Sequence, residues 1–398
     1  MPPESSDHIS AESPGTSADP PPGASAGHRA DPSPDRPADP DAFRAQFPVL
    51  ATRSYLNAGT EGPVPRAAAD AVRERLAADL VDGRCGPAYH EAVRSLAAEV
   101  RAGYAAVLGC SDGEVALTGS TTDGINTVLG GLEFRAGDEV LTSDEEHPGL
   151  LAPLALARRR HGLRVRIVPF AELPGEVTAR TRLIACSHVS WVSGRVADVQ
   201  ALRESGVPVL LDAAQALGAI PVDVRVLGCD FYAASGQKWL CGPEGSGCLY
   251  VRPERLEELS VPWPGYASLA DPEHPLESPP APGTARLDHG FPAAVRSAWA
   301  LASLRTLERP GWDWVHERAA SLAAWLADAL AERGLEVAPR GRSTIVSWRV
   351  ADPPAEVERL ARERIVVRFI PRFSLVRASV GAWSSEEELA RLVELAAP

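Results

Sequence analysis

The stretch from residue 207 to 251, VPVLLDAAQALGAIPVDVRVLGCDFYAASGQKWLCGPEGSGCLYV, constrains the fold of this sequence more than any other. VPVLL is a short unbroken apolar run, the pattern of a strand buried on both faces of a mainly parallel sheet. It ends in Asp212, at the C-terminal edge of that strand, where open α/β sheets gather their ligands. The residues after Asp212 read as a helix. A second apolar segment, DFYAAS, then runs into Ser235-Gly236-Gln237-Lys238, a Gly-rich turn and a third strand. A lysine directly after a buried strand packs poorly but is well placed to form an imine.

Hydrophobic residues make up 45% of the 398 positions and charged residues 23%, the balance of a globular chain long enough for one large domain and a smaller one. A net charge of −13 argues against nucleic acid or an anionic membrane as partner. No signal peptide or apolar run of transmembrane length is visible. The six cysteines, at 85, 110, 186, 229, 241 and 248, are scattered without CxxC spacing, which reads as reduced thiols in a cytoplasmic protein and offers no metal site. Residues 1–40 hold ten of the 36 prolines and almost no large apolar residue, a composition expected of a disordered tail. Residues 41–285 read as a large domain with an N-terminal arm, and 286–398, alternating helix and strand, as a small α+β domain.

DAAQALG followed by SGQKWLCGPEGSG resembles the class V aminotransferase family of fold-type I enzymes that depend on pyridoxal 5'-phosphate (PLP); the likeness runs from residue 43 to 396. The resemblance implies a mainly parallel seven-stranded sheet with helices on both faces, and a homodimer with shared active sites. It also implies that Lys238 carries PLP as a Schiff base, while Asp212 keeps the pyridine nitrogen protonated so that the ring withdraws electrons. His147, in DEEHPG, stands where the family stacks a ring on the cofactor face. Lys238, Asp212 and His147 are therefore the expected catalytic residues.

EVALTGSTTDGINTVLGGL reads as strand, small-residue turn and helix. Such a turn can simply cap its helix, or it can offer backbone N–H groups and hydroxyls to an anion. The resemblance selects the second use, with Thr121, Thr122, Ser235 and Gln237 on the cofactor phosphate. Gln237 can donate there but cannot act as an acid or base. Gln215 is expected near the ring hydroxyl and Ser190 near the ring, while the backbone of Gly290 and Phe291 would reach the phosphate of a neighbouring subunit. For the substrate, Asn57, Ala58, Gly59 and Thr60 in YLNAGT either line the pocket or form only a turn. Trp191 replaces a residue that is often Asn in the family. Arg377, in LVRASVGAW, matches the family clamp on the α-carboxylate, which a planar guanidinium fits bidentately; a pair with Asp or Glu is the structural alternative.

Cysteine desulfurases accept sulfur on a cysteine in a loop before that arginine, and IVVRFIPRFSLVR contains none. This argues against a persulfide-forming desulfurase. Cys241, in KWLCGP, reads as a small turn residue. What remains is chemistry that needs no protein nucleophile besides Lys238. The expected reaction is β-elimination of a cysteine-derived amino acid at its C–S bond, giving pyruvate and ammonia. Transamination, epimerisation and decarboxylation are the alternatives within the family, and a non-catalytic binding protein is the alternative outside it.

Overall fold

Seven strands make the central sheet, and their side chains divide strictly between its two faces. The structure, a computed structural model, describes residues 39–288 and 290–397, all within one compact unit. The expected tail therefore lies outside the described residues, apart from its last two positions. Among the described residues the strands are β1 (Ser54–Tyr55), β2 (Val115–Thr118), β3 (Glu139–Ser143), β4 (Arg164–Val168), β5 (Thr181–Ser187), β6 (Val209–Asp212), β7 (Phe231–Ser235), β8 (Gly247–Val251), β9 (Ile345–Arg349), β10 (Ile365–Val366), β11 (Arg368–Ile370) and β12 (Leu375–Ser379). The helices are α1 (Pro40–Arg44), α2 (Arg66–Asp82), α3 (Gly86–Leu108), α4 (Thr121–Gly131), α5 (Pro148–His161), α6 (Val199–Glu204), α7 (Val224–Leu227), α8 (Ala294–Glu308), α9 (Trp312–Glu332), α10 (Pro353–Arg362) and α11 (Glu386–Leu395).

The central sheet runs β2-β8-β7-β6-β5-β3-β4, with β8 antiparallel to both its neighbours and the other pairs parallel. This is the expected mainly parallel seven-stranded sheet. Side chains alternate faces along a strand. Leu141, Ile184, Leu211, Tyr232 and Tyr250 join one buried cluster with α3 and α8, whereas Val140, Leu183, Leu210, Phe231 and Leu249 join another with α4 and α5. Burial on both faces is why these strands read as unbroken apolar runs.

The C-terminal sheet, β11-β12-β9, is antiparallel. Val376 and Ala378 of β12 pack with Val346 and Trp348 against α9, α10 and α11. Their neighbour Arg377 must then point to the opposite face, which looks toward the central sheet. The 286–398 segment packs in two places. Ala300, Leu301, Leu304, Val315 and Ala319 join the cluster under the central sheet, and from Leu322 onward α9 serves the C-terminal one.

One expected element differs. The residues after Asp212 form a series of turns, with Ala216 N–H donating to Ala213 O and Ile220 N–H to Ala216 O, and helix appears only in the four residues of α7. Gly218 at φ 83° and Pro221 break any longer helix, and the turn leaves Asp212 and Gln215 together on the sheet edge.

The N-terminal arm links the two sheets. β1 pairs in parallel with β10, Asn57 bridges to Ser379, and the chain then crosses the Lys238 turn, where Gly62 N–H donates to Gln237 O at 2.7 Å. A Cβ on Gly62 would lie 2.1 Å from the carbonyl oxygen of Lys238, so no side chain fits. The backbone atom in its way cannot swing aside. Gly62→Ala should therefore destabilise the fold by about 1–3 kcal/mol, as overpacking of a filled interior does, and lower the thermal midpoint; an unchanged midpoint would show that the arm does not seat on the lysine turn.

Candidate active site

Parallel strands bring their C-terminal ends to one edge, and there β6 and β7 deliver Asp212 and Lys238 to a single cavity of about 230 Å³. Thr121, Thr122, His147, Trp191, Gln215, Ser235, Gln237 and Arg377 line it too. Ten of the expected site residues thus converge from distant parts of the chain. Gly59, Thr60, Glu61, Ser120, Ala214 and Arg368 complete the wall.

Lys238 is half-buried, and desolvation pulls its ammonium down to about 8 from the ordinary 10.5, opposed by the attraction of Asp212. Asp212 is pushed up by its own burial and held down by Lys238 and by the N–H of Ala214, which donates to Oδ1 at 2.9 Å. The pair is thus a buried acid beside an amine that reaches its neutral, nucleophilic form near neutral pH. Composition carries a signal that the motif reading passed over. Of the 40 Lys and Arg in the sequence, Lys238 is the only lysine. Arginine serves everywhere else as the cation, but it stays protonated and cannot supply a neutral primary amine.

His147 caps α5, its Nδ1 accepting from Gly149 N–H at 2.9 Å. Burial, together with Lys238, Arg368 and Arg377, holds it down to about 4, so the ring is neutral at pH 7. It meets Trp191 edge to face at 4.8 Å between centroids. Trp191 in turn sends its carbonyl to Arg377 Nη1 at 3.0 Å and its ring to the guanidinium of Arg368, 5.8 Å away.

Arg377 is fully buried without a carboxylate. Its Nε and Nη2 have no partner among the described residues, and burial with the neighbouring Arg368 pulls it down to about 9. The expected structural alternative, a pair with Asp or Glu, is absent among the described residues. Gly59 is needed beside it, because a Cβ there would stand 2.9 Å from Nη2 and 2.8 Å from Gln215 Oε1.

At the opposite end, the Thr121 hydroxyl and backbone N–H both meet Ser235 Oγ, at 2.7 and 3.0 Å, at the start of α4. The buried Oε1 of Gln237 has no partner among the described residues. Gln215 spends one bond from each end of its amide on the protein, to Gly59 O and from Trp239 Nε1.

Five expected residues lie elsewhere. Asn57 accepts from the Thr60 hydroxyl and Ala58 is buried in the core, so of the four arm candidates only Gly59 and Thr60 line the cavity, joined by Glu61. Ser190 is taken up by Glu145, which also binds Ser193. Gly290 and Phe291 line a separate cavity with Tyr104, Gly245 and Arg296. Glu61, Arg368 and Glu146 were not expected. Arg368 is described below. Glu146 is buried and accepts from Ser187 Oγ at 2.6 Å and from Ser187 N–H and Ser143, tying β3 to β5 immediately before His147.

These features fit PLP. The cavity offers one amine for an aldehyde, one buried acid for a ring nitrogen, a helix start with hydroxyls for a phosphate, and unpartnered donors on Arg377 for a carboxylate. The model of the family "Aminotransferase class-V" matches residues 55–392. Isopenicillin N epimerase of Streptomyces clavuligerus is 35% identical over 56% of this chain and 59% of its own length. A cysteine desulfurase of Klebsiella pneumoniae (strain 342) is 34% identical over 58% and 62%. The chain thus spans about three fifths of the length of these curated relatives. Among solved structures, the cystine C–S lyase C-DES in complex with its reaction product cysteine persulfide is 28% identical, with a TM-score of 0.83 over 88% of this chain and 98% of that one. A mutant of C-DES with glycine covalently linked to its PLP cofactor superposes with a TM-score of 0.84.

A depressed lysine leaves a pH signature. Because Lys238 loses its proton with a midpoint of about 8, the rate at which apoprotein takes up PLP should rise with pH through 8 and level off about one unit above it. A rate still climbing towards 10.5 would show that the amine is not desolvated.

Proposed function

The chain belongs to the class V aminotransferase family and takes pyridoxal 5'-phosphate as its cofactor, and from that premise we propose that it cleaves the C–S bond of a cysteine-derived amino acid by β-elimination. The observation that carries the reading is the convergence of the sole lysine, Asp212 and the unpartnered Arg377 on one cavity. Lys238 would hold the cofactor aldehyde and Asp212 the ring nitrogen, with His147 on the ring face. Thr121, Thr122, Ser235 and Gln237 would hold the phosphate. Bound PLP supplies a protonated ring that draws electrons from the substrate α-carbon.

Arg377 binds the α-carboxylate and so fixes which bonds of the α-carbon face Lys238. Lys238 Nζ, released from the aldehyde by the incoming amino acid, takes the α-proton as general base. Asp212 keeps its charge beside the ring nitrogen and stabilises the electron density that arrives there. His147, neutral, orients without competing for the proton. The thiolate then leaves from Cβ and is protonated. One water is consumed overall, so the products are pyruvate, ammonia and a thiol.

The preference for elimination over persulfide transfer rests on the hairpin between β11 and β12. It contains no cysteine, and its Phe373 packs with Trp191, Val192, Ile370 and Leu375. Cys241 does not line the cavity, and burial raises its thiol well above the ordinary range. A homodimer in which Gly290 and Phe291 serve the neighbouring site is part of the same proposal. Among the described residues no helix is long and apolar enough to cross a membrane.

A product assay with S-substituted cysteines, without any 2-oxo acid, tests the reading. Pyruvate and ammonia should appear over many turnovers, and Lys238→Arg, which keeps the charge but not the amine, should lower the rate by at least about 1,000-fold. A single turnover that stops with the cofactor in its amine form would indicate a transaminase instead.

A further inference from the structure

Arg368 and Arg377 are directly opposite each other in the antiparallel pair β11–β12, and both reach the cavity. Like charges at directly opposed strand positions repel, and burial sharpens the repulsion. Nothing among the described residues neutralises it. Arg377 donates to one carbonyl and keeps two unpartnered nitrogens, and the one hydrogen bond of Arg368 is from Nη1 to the Thr60 hydroxyl at 3.1 Å. No carboxylate of the described residues lies within ion-pair distance of either. Glu61, the remaining acid of the cavity wall besides Asp212, couples instead to Glu244 and Lys238. The Trp191 ring lies beside the Arg368 guanidinium and meets His147 edge to face.

One α-carboxylate satisfies one guanidinium fork. A second cation on the same face, held beside an aromatic ring, calls for a second anion on the same ligand. We propose that the substrate is an amino acid whose side chain ends in an acidic group, a carboxylate, sulfinate or sulfonate, bound by Arg368 while Arg377 holds the α-carboxylate. This deepens the function proposed above and rests on it for the cysteine-derived skeleton. The thiol fragment released would then be an acid itself, and the reaction that supplies the substrate must join cysteine sulfur to a carbon unit that carries the anion.

Two cysteine conjugates of equal size isolate the charge, S-carboxymethylcysteine and its amide, S-carbamoylmethylcysteine. The amide carries the better leaving thiolate, so intrinsic reactivity favours it and any preference for the acid comes from the site. Two readouts are needed: kcat/KM for pyruvate release, and the dissociation constant from the change that each compound produces in the visible spectrum of the PLP-loaded protein. The acid should be preferred on the order of 10- to 100-fold in both, the range of a charge-assisted hydrogen bond. In Arg368→Gln that ratio should fall toward one, and Arg368→Lys should recover part of it. Equal constants for acid and amide in the wild type would overturn the inference. So would an Arg368→Gln variant that binds both more weakly with the ratio unchanged, because both arginines would then serve the α-carboxylate. If the acid perturbs the spectrum more tightly than the amide but neither yields pyruvate, the acidic-side-chain inference stands and the elimination reading falls.

Discussion

The attraction between Asp212 and Lys238 across the ends of β6 and β7 is the interaction on which the site depends. Burial alone would neutralise both groups, raising the acid and lowering the amine, and each is held nearer its charged form by the other. The balance requires two parallel neighbouring strands that end together, because only then do two side chains so far apart in sequence share one desolvated edge. The division of side chains between two separately packed faces keeps those strands in register, since a slip of one residue would turn Asp212 from the cavity into the opposite face.

Positive charge dominates the outer half of the cavity. Lys238, Arg368 and Arg377 face only Asp212 and Glu61, and the two arginines repel each other across the hairpin. A cofactor phosphate at the start of α4 and acidic groups on the substrate would supply the missing anions from opposite ends. This arrangement uses ligand binding to relieve a repulsion built into the protein, a form of preorganisation in which the cations already stand in place. His147 and Trp191 add a neutral edge-to-face ring pair to the wall beside these charges.

Much of this was legible in the sequence because the relevant signals are local. Strands buried on both faces read as apolar runs, and the residues that follow them, Thr121, His147, Ser235 and Lys238, fall at the sheet edge through chain order alone. The part of the cavity wall that these residues line is therefore what motif position anticipates. Residues that depend on how separate segments pack were not recovered. Arg368 becomes a site residue through its cross-strand register with Arg377, and Glu61 through the path of an arm that crosses the lysine turn. Ser190 had the right motif position, but Glu145, two residues before His147, captures its hydroxyl. The turn after Asp212 looked helical from its alanines, while Gly218 and Pro221 decided otherwise. The sole lysine was visible in the composition and needed only counting.

That single lysine also makes the central claim unusually direct to test. The holoprotein would be reduced with borohydride, digested, and its peptides weighed for the added phosphopyridoxyl group. The account predicts one label per chain, on the peptide containing Lys238, and its loss in Lys238→Arg. A label at the N-terminal amine, or none while the visible cofactor band persists, would contradict it.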